Sequence, residues 1–339
     1  MYLWLSGKSL LSIIAYVLLV LWALGIICID VMIFMDNNKA SEPQTNIAET
    51  LEPSEPSEIS EDPEPSENSE TSQKFETPYQ EIDFQPIVDD WAKSVSGDKS
   101  VLIYDLDLEK TVGEYNADVN RNTASLYKLP IVYEGYRRVA RGEWDGNAKA
   151  GTIGKTVLKC LDLAIRQSDS LCAETLRNMI GRAELDTINP NILALSSNAR
   201  DIAKIMKNFY YHDEIQDDKL LATMKDSFLN QPTIGHDNWR RGLPSGFSDA
   251  TVYNKVGWDY NAEEKYWNVY NDAAIVEFPE QNRHFIVVVM TSHIMPKKIA
   301  ELGTMIENLV GAAWAGINNL QGRHFSCFFH DLLAEQELI

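Results

Sequence analysis

The sequence predicts an α+β domain held behind one membrane-spanning helix and a stiff acidic spacer. Three observations predict this. An uncharged apolar run lies near the N-terminus, and a Pro, Ser and Glu stretch almost free of large apolar residues follows it. The remainder then reads as two strand-like segments, several amphipathic helical segments, three more strand-like segments and a closing helix. Strands grouped apart from helices mark an α+β architecture, an antiparallel sheet flanked by helices with a separate all-helical lobe, rather than alternating βαβ units.

The first element is the run from Ser9 to Ile29, SLLSIIAYVLLVLWALGIICI, which is long enough to cross a hydrocarbon core as a helix. Lys8 precedes it, while Asp30, Asp36 and an acidic stretch follow, so the charge bias puts the N-terminus in the cytoplasm and the rest outside. Ala23-Leu24-Gly25 offers a small-x-small cleavage site, but the run exceeds a signal-peptide core and resumes at Val31 to Phe34, which fits an uncleaved anchor better. The expected address is therefore a single-pass cell-membrane protein with its folded part extracytoplasmic. Residues 1–36 form this anchor.

Residues 37–77 form the spacer, which lacks the apolar surface to offset its ordering entropy. Glutamates recur at Glu49, Glu52, Glu55, Glu58, Glu61, Glu64, Glu67 and Glu70. A three-residue period aligns them on one face of a polyproline II helix, which at ~3.1 Å per residue reaches on the order of 100 Å. A slipped triplet repeat kept for solubility is the other reading of the same pattern.

The folded domain occupies residues 78–320. Ile82, Ile87, Val88 and Trp91 take helical spacing in an opening helix, and Ser100 to Leu106 with Lys110 to Tyr115 read as a hairpin. Asn122 or Thr123 caps a helix that carries Ser125, with Pro130 expected to kink it modestly. Helical patterns follow at Thr156–Arg166, Leu171–Ile180, Ala199–Tyr211 and Asp217–Leu229. Strand patterns return at Ala250–Asn254, Asp272–Phe278 and His284–Thr291, and Lys297–Ile317 closes with an apolar-faced helix. Residues 321–339 form an unassigned tail.

The 339-residue chain has a formal net charge of −20, and its first 76 residues, with 3 basic and 13 acidic side chains, hold half of it. Such a balance argues against a nucleic-acid partner, which needs a basic face. Cys28, Cys160, Cys172 and Cys327 are too few and scattered for a disulfide framework or a paired metal site. Cys160 and Cys172 could meet across a helical hairpin, although buried free thiols suit their setting better. The six histidines form no metal or triad pattern and no phosphate loop is present, so neither a metal nor a cofactor is expected. Trp239, Trp258 and Trp267 read as packing aromatics before cleft-lining ones.

Ser125 and Lys128 stand one helical turn apart, so the amine can reach the hydroxyl if burial and nearby cations leave it partly neutral. The Ser125 N–H, in a first helical turn, has no intrahelical acceptor and faces the positive end of the dipole. A second Ser-x-x-Lys, Ser96 to Lys99, lies in a Gly-Asp turn without a supporting helix. Two further segments support the Ser125 copy. Ser168-Asp169-Ser170 supplies a hydroxyl able to relay a proton and an Asp able to pin its loop. Lys255-Val256-Gly257-Trp258, at a strand end, supplies a second cation and a glycine that admits close backbone approach.

In their order these three segments resemble, loosely at two positions, the Ser-x-x-Lys, Ser-Asp-Asn and Lys-Thr-Gly set of the serine β-lactamase and penicillin-binding-protein superfamily, nearest its class A branch. The segments Arg240 to Pro244 and Asn271 to Val276 share the resemblance, which spans about Tyr79 to Ile317. It implies that Ser125 is acylated, that Lys128 activates it, and that Ser168 passes the proton to the departing nitrogen. Lys255 would supply positive potential, and the backbone N–H groups of Ser125 and Trp258 an oxyanion hole. Asp169, Ser170, Val256 and Gly257 would contact substrate, which would be a β-lactam, a peptidoglycan-type amide or a related small ester.

Three departures stand out. Ser170 replaces Asn, and Val256 replaces the hydroxyl residue of the third motif. The hydrolytic glutamate of class A has only the window Gly181–Asn198, where Glu184 is the nearest candidate and reads better as a surface carboxylate. The resemblance therefore implies acylation followed by slow release. A wall-binding protein with little or no turnover is the alternative.

Overall fold

The computed structural model describes residues 80–188, 195–233 and 238–334. The apolar run 9–29 and the spacer 37–77 lie outside these residues. Among the described residues no helix is long and apolar enough to cross a membrane.

Among the described residues, seven strands form two sheets. β1 (Asp98–Asp105), β2 (Lys110–Tyr115), β5 (Thr251–Asn261), β6 (Tyr266–Phe278) and β7 (Arg283–Ser292) make a five-stranded antiparallel sheet in the order β2-β1-β7-β6-β5. β3 (Arg121–Asn122) and β4 (Ser196–Ser197) pair separately, Arg121 opposite Ser197. The large sheet is buried on both faces, which explains its near-continuous apolar strands. Along β7, Phe285, Val287 and Val289 enter one core while Ile286, Val288 and Met290 enter the other, the period of two dictated by the pleat. Each such side chain contributes about 1.5–3 kcal/mol when fully buried.

One face carries α1 (Gln85–Ser94) and α8 (Pro296–Ala334), whose Trp91, Ile299, Leu302 and Ile306 fill the first core. The other face carries the helical lobe: α2 (Lys128–Ala140), α3 (Val157–Arg166), α4 (Ser170–Ile180), α6 (Ala199–Tyr211) and α7 (Asp218–Leu229), with short α5 (Arg182–Ile188) beside α2 and α4. The caps follow sequence logic. The side chains of Thr156, Asp169, Asn198 and Asp217 accept backbone N–H bonds at the starts of α3, α4, α6 and α7.

Several elements differ from their sequence-based limits. α1 is shorter than expected because Pro86 sets its first turn and Asp83 accepts the Gln85 N–H at 2.9 Å. β5 and β6 extend beyond their apolar segments, so Lys255 and Gly257 lie within a strand rather than at its end. α8 continues past Ile317 to Ala334, through most of the tail. Pro130 falls in the first turn of α2, where a missing N–H leaves no ladder bond unmade, so no kink is required. Cys160 and Cys172 are buried free thiols.

Candidate active site

Ser125 lies in a 3-10 turn, Ala124–Tyr127, that runs directly into α2 at Lys128. Of the two expected caps, Asn122 and Thr123, only the first is made. Asn122 Oδ1 accepts the Ala124 N–H at 2.8 Å, while the Thr123 hydroxyl is buried without a hydrogen-bond partner. Ala124 has φ +42°, a left-handed conformation uncommon for a residue with a Cβ. β5 clamps this turn from the other side. A Cβ on Gly257 would stand 2.6 Å from the Thr123 carbonyl oxygen and 2.9 Å from the Ser125 and Leu126 nitrogens. The glycine therefore admits the backbone of the Ser125 turn, where the sequence suggested substrate backbone.

Lys128, 1 % exposed, meets three serines. Its Nζ lies 3.2 Å from Ser125 Oγ, 3.2 Å from Ser168 Oγ and 3.1 Å from Ser170 Oγ, and it also donates to the Ser168 carbonyl. Lys255, also 1 % exposed, places its Nζ 3.0 Å from the same Ser168 Oγ and 2.5 Å from the Val256 carbonyl oxygen. Ser168 itself has φ +55°, which turns its side chain and carbonyl together toward the lysines. Burial lowers the Lys128 amine to about 8, opposed by the charges of Asp169 and Glu174. Burial and the neighbouring Lys128 cation push Lys255 well below its usual value, opposed by Asp272.

The remaining candidate residues divide into two groups. Ser170 joins the lysine cluster, with the Tyr127 hydroxyl in hydrogen-bond reach. Asp169 is committed to the loop, accepting the Cys172 N–H at 2.9 Å and pairing with Lys155 at 3.1 Å. Val256 buries its side chain in the apolar core on the far face of the sheet and offers its carbonyl to Lys255. Trp258 stacks on Trp239 with centroids 5.5 Å apart and meets Trp267 edge-on at 5.4 Å, a packed aromatic group as expected.

Glu184 sits elsewhere. Its carboxylate pairs with Arg138 on α2, ten residues beyond Lys128, or about 15 Å along the helix axis. The other acid of the Gly181–Asn198 window, Asp186, is 3.6 Å from Arg182. The second Ser-x-x-Lys is structural, because Lys99 Nζ donates to the Ala92 carbonyl at 2.7 Å and to that of Val95, closing the end of α1.

Sequence reasoning missed a buried polar group behind β5. Asp272, 0 % exposed, accepts the Asn254 amide and the Leu243 N–H, both at 2.9 Å. Arg240 donates to Asn254 Oδ1 at 3.2 Å and to the Val252 carbonyl at 3.0 Å. The signal was present in a charged residue, Asp272, inside an otherwise apolar strand pattern.

An antiparallel sheet with a helical lobe, and a Ser-x-x-Lys turn between them, define a serine hydrolase of the β-lactamase type. Residues 83–310 match the sequence model of the beta-lactamase enzyme family, and the chain belongs to that family. No curated protein matches it. Solved structures with this fold include an ancestral class A β-lactamase, 17 % identical with TM-score 0.55, over 68 % of this chain and 99 % of that one. A class A β-lactamase from Mycobacterium abscessus is 17 % identical with TM-score 0.53, over 67 % and 98 %. A β-lactamase from Xanthomonas campestris pv. campestris is 12 % identical with TM-score 0.55, over 66 % and 96 %.

Proposed function

We propose that this protein is a membrane-tethered, extracytoplasmic acyl-enzyme hydrolase acting on a β-lactam, a peptidoglycan-type amide or a related ester, and that it acylates faster than it releases. The observation that carries the reading is the single Ser168 hydroxyl held by both Lys128, at 3.2 Å, and Lys255, at 3.0 Å, with Ser125 3.2 Å from Lys128.

Neutral Lys128 takes the Ser125 proton as Oγ attacks the substrate carbonyl. The oxyanion gathers at the backbone N–H groups of Ser125 and Trp258; such donors typically contribute about 10²–10³ in rate. As the carbon–nitrogen bond breaks, the proton travels from Lys128 through Ser168 Oγ to the leaving nitrogen, and Lys255 offsets the negative charge. Ser170 holds Lys128 in place from the third side.

Release needs a water and a base. Glu184 and Asp186 are each paired with arginine away from Ser125, which supports a long-lived ester. The apolar run 9–29 and the repeating glutamates support the tether and its stand-off from the membrane.

The test is mass spectrometry of the full chain in detergent after incubation with a penicillin and, separately, a fluorophosphonate. The expected result is one adduct on Ser125 that persists with penicillin. No adduct from either reagent on folded protein would remove the hydrolase reading in favour of a wall-binding role. Rapid loss of the penicillin adduct would refute slow release.

A further inference from the structure

Asp272 and Lys255 sit back to back. In the β5–β6 ladder Val256 lies opposite Asp272, and Lys255 lies opposite Ala273. Side chains alternate across a strand, so Lys255 reaches the lobe-side cluster while Asp272 shares the other face with Val256, Tyr270 and Ala274. Both side chains are within 1 % of complete burial. No solvent layer separates them, so the field of the carboxylate reaches the amine with little screening.

The donors to Asp272 are neutral: the Asn254 amide and the Leu243 N–H. Arg240 makes no hydrogen bond to the carboxylate, its own bonds going to Asn254 Oδ1 and the Phe228 and Val252 carbonyls, so Asp272 feels two cations at a distance, Arg240 and Lys255. The space is closed as well, with a Cβ on Gly242 falling 2.3 Å from Asp272 Oδ2 and 2.9 Å from the Tyr270 ring. A buried carboxylate without a contacting cation is costly unless a nearby positive charge compensates it.

Resting on the acyl-enzyme reading above, we propose that Asp272 is a positioning residue whose carboxylate, from the far face of the sheet, raises the share of the pair's positive charge that Lys255 carries and so lowers the share left on Lys128, the amine facing Ser125. Lys128 and Lys255 flank one hydroxyl and titrate as a pair, so a charge that favours the cation on one disfavours it on the other. Every charged group facing the pair enters this balance. Asp169 and Glu174, from the α4 side, act on Lys128; Asp272 acts on Lys255; Arg240 and the Tyr270 hydroxyl flank Asp272. The carboxyl is pushed up to about 7 by burial, so its charge changes in the range where an extracytoplasmic enzyme works.

The test is an NMR titration of the full chain in detergent, labelled with ¹³C and ¹⁵N in lysine, with no substrate present. In Asp272→Asn the midpoint of Lys255 falls by about 1–2 units, the size expected of a unit charge roughly 6–12 Å away at an effective dielectric near 20, and that of Lys128 rises. A purely structural role would lower the melting temperature and leave both midpoints in place, which would overturn the proposal. Should the variant fail to fold, the wild-type Lys255 curve carries the answer: an inflection where Asp272 titrates supports the link, and a single smooth step overturns it. Because no substrate is used, opposite shifts alongside a Ser125 inert to every acylating reagent would retain the electrostatic link and remove only the catalytic reading.

Discussion

Lys128 and Lys255, from the first turn of α2 and the middle of β5, donate to the same atom, Ser168 Oγ, at 3.2 and 3.0 Å. Two buried amines on one hydroxyl repel, and on the proposed mechanism the charge they jointly carry sets when Ser125 reacts.

The pH dependence of acylation follows from Lys128. Its amine is lowered to about 8, so the adduct rate with a penicillin or fluorophosphonate rises with pH through a midpoint near 8. Lys128→Met lowers that rate by about 10²–10⁴. Stability has its own sign. The folded state holds the cation less well than the unfolded chain, so the wild type is destabilised below pH 8, by at most about 3 kcal/mol, and recovers as pH rises toward 10.5. The Met variant therefore melts no lower than wild type at pH 7, and its melting temperature lacks this alkaline gain.

Gly257→Ala strikes the nucleophile turn. The added methyl would lie 2.6–2.9 Å from backbone atoms of Thr123, Ser125 and Leu126, which cannot move aside singly. Expected are a loss of about 1–3 kcal/mol in urea unfolding and at least a 10²-fold slower acylation by stopped flow.

Glu134 anchors the far end of α2. It is 1 % exposed and lies 2.6 Å from Arg137 and 3.1 Å from both Arg138 and Arg141; Arg138 also holds Glu184. Glu134→Gln leaves three cations around a neutral amide and costs about 2–4 kcal/mol by chemical denaturation. Glu184→Gln breaks a single half-exposed pair and costs under about 1 kcal/mol. Neither substitution changes the decay of a penicillin adduct on folded protein; faster or slower decay in Glu184→Gln would place that carboxylate in the release step.

Asp272 imprints a second pH signature. Its folded value of about 7 exceeds that of an unfolded aspartate, so the native state binds the extra proton and stability falls as pH climbs from about 4 to 7. In wild type, melting temperatures across that window slope downward with pH, and the slope flattens in Asp272→Asn.

Much of this architecture could be read in advance. The hairpin, the helical segments and the i to i+3 reach of Lys128 to Ser125 arise from local periodicity and short-range bonding. The lengths of β5 and β6 were not legible, because Lys255, Gly257 and Asp259 in β5 and Asn268 and Asn271 in β6 break the apolar pattern while the ladder between the two strands carries them. The Asn254–Asp272–Arg240 group stayed hidden for the same reason: a charge in a strand reads as solvent-facing until both faces prove covered. Gly257 was legible as a point of close approach, but only the fold shows that the approaching backbone is the protein's own.

The left-handed Ala124 follows from that last contact. A residue with a Cβ gains about 1 kcal/mol by leaving this conformation, so nothing in the local chemistry of the turn selects it. What retains it is β5, synthesised long after Ser125. A chain truncated ahead of β5 keeps its serine and lysine three residues apart yet lacks the clamp that aligns them. On the proposed mechanism, reactivity toward a fluorophosphonate would thus report chain completeness, the serine staying silent until the last strands have joined the sheet.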